Sequence, residues 1–153
     1  MKKIIIFSSI FILIDQLIKI IVRNSLMGIE KVIIPNFLYL TGVKNSGGAF
    51  SLFSGNSFLL ISISFIVLIF IFRYLLNNKI NGLEGITYSI LVGGIVGNLI
   101  DRLVFNYVFD YIGLIFGSYY YPVFNLADIG IVIGIILIMY KEFIGDRNGN
   151  RSN

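Results

Sequence analysis

Long apolar runs separated by short polar stretches dominate the sequence. Four of them approach the roughly 20 residues that a membrane-crossing helix needs, at about 4–22, 58–76, 86–104 and 123–140. They predict an all-α integral membrane protein of four transmembrane helices, forming a single domain over 1–153. Between the first two runs, residues 36–50 alternate partially around Asn45-Ser46-Gly47-Gly48. That pattern predicts two short strands and a turn, a small extracytoplasmic β element in the first outer loop. Tyr119, Tyr120 and Tyr121 precede the fourth run, where an interfacial aromatic belt is expected. The first run follows Lys2 and Lys3 as a signal peptide would, but Asp15 and Lys19 interrupt it and no small-residue cleavage pattern follows. It therefore reads as a retained helix.

Basic residues set the orientation. Lys2, Lys3, Arg73, Lys79, Lys141, Arg147 and Arg151 flank one side of the runs; Arg23, Lys31, Lys44 and Arg102 flank the other. The excess predicts both termini in the cytoplasm and the loops 23–57 and 105–122 outside.

Composition narrows the chemistry. Hydrophobic residues make up 57% and charged residues 13%, against roughly 25% charged in a soluble domain. A chain this short has no core large enough to hide so much apolar surface, which excludes a soluble globular protein. The absence of His and Cys excludes Ser-His-Asp and Cys-His catalysis, His or Cys metal sites and thiol chemistry. No metal or cofactor is expected. The net charge of +4 is dispersed around the apolar runs, so topology explains it and no nucleic-acid partner is expected.

Four of the eight acidic residues, Asp15, Asp101, Asp110 and Asp128, lie in or beside the spans. Ionisable groups at membrane depth cost roughly 3 kcal/mol or more, which makes them functional candidates. At about 1.5 Å rise per residue, Asp15, Asp101 and Asp128 fall roughly 10, 5 and 8 Å below the outer helix ends. Asp110 follows the third span on the same side. All four converge in the outer leaflet.

Helical spacing groups their neighbours. Asp15 and Lys19 are four apart and predict a self-neutralising pair. Gly94, Asn98, Asp101 and Arg102 share a face of the third helix, while Asn125 and Asp128 are three apart near the fourth. Asp101 beside Arg102 reads as an ion pair, and Asn98 and Asn125 as either interhelical hydrogen-bonding groups or site residues. Gly93 and Gly97, with Gly130 and Gly134, predict close helix approach.

Asp110 and Asp128 differ from the other two acids because no Lys or Arg occurs between Leu103 and Tyr140. Two carboxyls brought together there would share one proton, the arrangement that activates water for peptide hydrolysis. The same residues also fit a proton-coupled transporter or channel, and Lys19 with Ser46 or Ser51 fits a Ser-Lys dyad.

Five blocks in order carry a resemblance: Asp15-Gln16-Leu17-Ile18-Lys19; Asn45-Ser46-Gly47-Gly48-Ala49-Phe50; the stretch from Gly93 to Leu103 with Asn98, Asp101 and Arg102; Val108-Phe109-Asp110-Tyr111-Ile112; and Pro122-Val123-Phe124-Asn125-Leu126-Ala127-Asp128. Together they resemble bacterial lipoprotein signal peptidase, or signal peptidase II, over essentially the whole chain. The resemblance implies an aspartic endopeptidase of the bacterial cytoplasmic membrane. Such an enzyme cleaves prolipoproteins on the amino side of a diacylglyceryl-modified Cys, and acts in membrane lipid as a monomer. It implies Asp110 and Asp128 as the catalytic pair, and Asp15, Lys19, Asn45, Gly94, Asn98, Asp101, Arg102 and Asn125 as substrate-binding or supporting residues. Two departures, Tyr111 for the usual Phe and Tyr121 for a frequent Trp, leave the chemistry unaffected. Gly113 and Gly117 predict a mobile second outer loop.

Overall fold

The computed structural model describes residues 1–48, 55–80 and 82–149, the last six of them by backbone alone. Its elements run α1 (Lys2–Leu26), β1 (Lys31–Ile34), β2 (Leu38–Asn45), α2 (Ser57–Asn77), α3 (Gly82–Phe105), β3 (Val108–Phe116), β4 (Tyr119–Phe124) and α4 (Leu126–Gly149). Helices α1, α2 and α3 are long and apolar enough to cross a membrane. At about 1.5 Å per residue, each exceeds a hydrocarbon core of roughly 30 Å.

Helix α3 is the spine against which α1, α2 and α4 pack. Its glycines permit the close approach that the small-residue spacing predicts. A Cβ on Gly93 would meet the Phe11 ring at 2.9 Å, and one on Gly97 the Asp15 carboxylate at 2.7 Å. One on Gly94 would overlap the Ala127 carbonyl. From α4, Gly130 and Gly134 abut Phe11 and Leu91 in the same way. Helix α2 buries only Leu75 and exposes Phe58, Phe70 and Phe72 outward, as a helix surrounded by hydrocarbon does.

The sheet departs from expectation in extent. It has four antiparallel strands in the order β1-β2-β3-β4, and half of them come from the second outer loop rather than the first. The apolar run 108–116 reads as loop beside a long helix, yet Val43, Lys44 and Asn45 pair with Asp110, Phe109 and Val108. The three tyrosines of the expected belt begin β4, which ends at Phe124, so α4 starts at Leu126 rather than near 123. Gly113 lies inside β3. It lies opposite Tyr39 in the register, and the Tyr39 ring occupies the space its side chain would need. Gly117, at φ +64°, makes the turn between β3 and β4.

The sheet is seated on the helices by a second apolar cluster, in which Val22 of α1 meets Phe109 and Tyr111 of β3. This seat fixes where β3 delivers Asp110.

Candidate active site

Beneath the sheet, three helices and a strand bring Asp15, Asp101, Asp110 and Asp128 together among buried amides. Asp110, on β3, accepts hydrogen bonds at Oδ2 from Asn45 Nδ2 (2.8 Å) and at Oδ1 from Asn125 Nδ2 (2.6 Å). Asp128, in the first turn of α4, accepts at Oδ1 from Asn98 Nδ2 (2.7 Å). Its Oδ2 accepts the Asn125 backbone N–H (3.1 Å), while Asn125 Oδ1 accepts that of Asp128 (2.9 Å). This reciprocal pair is a capping box. The residue that caps α4 is also the one that ties Asp128 to Asp110.

Lys19 organises the layer below. Its Nζ reaches Asp15 (2.8 Å), Asp101 (3.0 Å) and Asn98 Oδ1 (2.9 Å), which uses all three ammonium protons. The expected Asp15–Lys19 pair is present. The expected Asp101–Arg102 pair is not: Asp101 turns to Lys19, and Arg102 donates to the Gly47 carbonyl (3.0 Å) and weakly to that of Asn98 (3.5 Å). Neighbours in a helix point about 100° apart, so Asp101 faces α1 while Arg102 faces the loop after β2.

The two acids paired with Lys19 hold backbone next to the other two. Asp15 Oδ1 accepts the N–H of Ala127 (3.0 Å), and Asp101 Oδ2 accepts that of Phe109 (3.3 Å). Sequence reasoning passed over Gln16, which bridges Asp15, Asp101 and the Gly97 carbonyl; its signal was a second polar residue inside an apolar run. It also passed over the Tyr111 hydroxyl, which accepts the first N–H of α4 from Leu126 (3.2 Å), a bond that Phe at this position would lack. Among the described residues no buried side-chain N or O lacks a partner, and no cluster of three His, Cys, Asp or Glu suits a metal.

Asp110 and Asp128 face a cavity of about 1,130 Å3, together with Asn45, Asn98 and Arg102. Away from this polar cap its walls are apolar, among them Ile63 and Val67 of α2, Ile95 of α3 and Val132 of α4. Burial, and then the neighbouring Asp128 charge, push the Asp110 carboxyl up to about 7 against the opposing hydrogen bonds from Asn45 and Asn125. Burial also pushes the Tyr111 phenol up to about 12. The Ser-Lys alternative fares poorly, because Lys19 is held by two carboxylates; Ser51, with Ala49 and Phe50 of the second block, lies outside the described residues.

Fold and site together define a membrane enzyme suited to peptide hydrolysis. The fold is similar to that of two bacterial membrane enzymes solved in meso. One has a TM-score of 0.88 at 29% identity, covering 97% of this chain and 92% of that one. The other has a TM-score of 0.81 at 30% identity, covering 92% of each. Residues 7–144 match the family of signal peptidase (SPase) II. Lipoprotein signal peptidases of Lactobacillus johnsonii (41% identity over 144 residues, 92% of each chain) and Bacillus pumilus (32% over 145 residues, 94% of each) are similar throughout. That of Listeria monocytogenes serotype 4b is 36% identical over 139 residues, 89% of this chain and 90% of the relative. The chain belongs to the signal peptidase II family and is a peptidase.

Proposed function

We propose that this peptidase is of the aspartic type and removes signal peptides from diacylglyceryl-modified bacterial prolipoproteins, with Asp110 and Asp128 as the catalytic pair. The observation that carries the reading is Asn125, which donates its side-chain amide to Asp110 and its backbone N–H to Asp128. It holds two carboxyls on one cavity at a spacing set by a single residue.

The pair holds one proton. The ionised member removes a proton from a water between them, and the hydroxyl adds to the scissile carbonyl carbon, whose oxygen accepts a hydrogen bond from the protonated member. The tetrahedral diol collapses as the C–N bond breaks. The amino group of the lipidated Cys leaves with a proton from the dyad, which returns to its starting state. Asn45, Asn98 and Asn125 orient the carboxyls; Asp15, Asp101 and Arg102 hold the backbone around them, with Lys19 pairing the first two; Gly94 lets α4 approach.

The same reading makes α4 a fourth membrane span, with Ile136, Met139, Tyr140 and Phe143 exposed and outside the cavity lining. Both termini lie in the cytoplasm and the sheet on the outer face. The substrate's signal helix lies along the apolar cavity walls and its acyl chains remain in lipid. The enzyme acts as a monomer on this membrane-embedded substrate and uses no nucleic acid, metal or cofactor.

Cleavage of a diacylglyceryl-modified prolipoprotein by the detergent-purified protein tests the assignment. Asp110→Asn and Asp128→Asn should abolish cleavage, and Asp101→Asn should reduce it. Full activity in Asp110→Asn overturns the choice of carboxyl. Acid-driven ion flux lost in Asp128→Asn while cleavage persists would favour a transporter instead.

A further inference from the structure

The end of the bundle opposite the sheet carries a second cavity, which adjoins the first at Ile71 but is lined by none of the residues of the catalytic layer. Helices α1 and α2 both pack on α3 rather than on each other and leave between them a groove of about 420 Å3. Its walls include Ile5 of α1 and Phe65, Leu68, Ile69 and Phe72 of α2, and Val92 of α3 forms the floor. This is a slot for hydrocarbon.

Its rim is cationic. Arg73 lines the groove one turn before the end of α2 and forms no ion pair among the described residues. Lys2 stands three and seven residues before Ile5 and Ser9, which both line the groove, so it falls on the same face of α1. Glu84, an acid at this end of the bundle, is taken by Lys141 at 2.7 Å. An apolar slot between helices with unmatched basic residues at its mouth fits a lipid that carries net negative charge at the headgroup.

We propose that the groove binds one anionic phospholipid, with an acyl chain along Phe65, Leu68 and Val92 and its phosphate at Arg73 and Lys2. The guanidinium offers a planar fork of donors matched to phosphate oxygens. A zwitterionic headgroup brings its own cation to the same rim and loses that advantage. A signal peptide is a poor occupant, because its amino-terminal segment is basic and is repelled there. Assignment to the inner leaflet rests on the topology proposed above; binding at the groove does not.

The full chain, purified in nonionic detergent and incubated with equimolar phosphatidylglycerol and phosphatidylcholine of matched chains, should retain one phosphatidylglycerol in native mass spectra. Arg73→Gln should weaken that retention by at least about tenfold. Leu68→Trp should displace the lipid with Arg73 intact, and Lys79→Gln, at the same end but outside the groove, should leave retention unchanged. Equal retention of the two lipids, or undiminished retention in Arg73→Gln or in Leu68→Trp, overturns the proposal. An equal loss in Lys79→Gln also overturns it, because attraction is then diffuse. Retention is read without cleavage, so failure here leaves the peptidase assignment standing, and loss of that assignment leaves this site.

Discussion

Asn125 and Asp110 meet at 2.6 Å, Nδ2 to Oδ1, in a contact that joins the cap of α4 to the centre of β3. One side chain therefore sets both where a helix begins and how far apart two carboxyls stand. Substitution at Asn125 separates the two roles. Asn125→Ala should lose the cap, at about 1 kcal/mol, and the bridge. Asn125→Asp keeps an acceptor for the Asp128 N–H but replaces the donor to Asp110 with a like charge. Asn125 is fully buried, so the third carboxyl should lower the melting temperature further than the Ala variant does although the cap acceptor survives, while prolipoprotein cleavage falls at least about a hundredfold in both.

Asp110 gives the molecule a pH dependence of definite sign. Its carboxyl is raised from 3.8 to about 7 in the folded protein, so the folded state binds more protons than the unfolded chain between those values. Stability contributed by this group is full below about pH 4 and is lost as pH rises towards 7. Asp110→Asn sacrifices one hydrogen bond at every pH but removes that slope. Its melting temperature relative to the parent should therefore improve from pH 5 to pH 8, by the equivalent of a few kcal/mol. In the parent, cleavage should decline as pH passes upward through about 7, where the pair gives up its shared proton.

Lys19 neutralises two buried carboxylates at once. Lys19→Met should destabilise the protein by about 3–5 kcal/mol, because Asp15 and Asp101 are then buried without a counter-charge. The triple variant Asp15→Asn, Lys19→Met, Asp101→Asn should regain part of that loss in thermal unfolding. A single variant as stable as the parent would contradict the geometry.

Adjacent glycines of α3 should respond differently to repair. The nearest atoms to a Cβ at Gly93 all belong to the Phe11 side chain, whereas the nearest to one at Gly94 is the Ala127 carbonyl oxygen. Gly93→Ala should cost about 1–3 kcal/mol and be relieved in part by Phe11→Ala, which removes the ring atoms at 2.9 and 3.2 Å and keeps the Cβ at 3.0 Å. Gly94→Ala displaces backbone next to Asp128, so Ala127→Gly should fail to rescue either melting temperature or cleavage.

The helices were legible because hydrocarbon imposes long apolar runs, and the site because four acids in such runs stand out. The faces that group Asn98 with Asp101 and Asn125 with Asp128 follow from spacing alone. What spacing cannot supply is choice among partners: Asp101 sits beside Arg102 in sequence yet pairs with Lys19 on another helix. Strands β3 and β4 were hidden for a related reason. Their apolar residues 108–116 and tyrosines 119–121 have the composition of span ends, and only pairing with β2 makes them a sheet. Tyr111 likewise looked like a neutral exchange until its hydroxyl met the start of α4.

The bond from Asp15 to the Ala127 N–H joins residues 112 positions apart, and this has a consequence for biosynthesis. While the ribosome is still making α3, Asp15 and Lys19 are already in the membrane, but the backbone that Asp15 holds and the carboxyl of Asp128 do not yet exist. Under the proposed catalytic assignment, growing chains therefore carry no working centre until the start of α4 has been made.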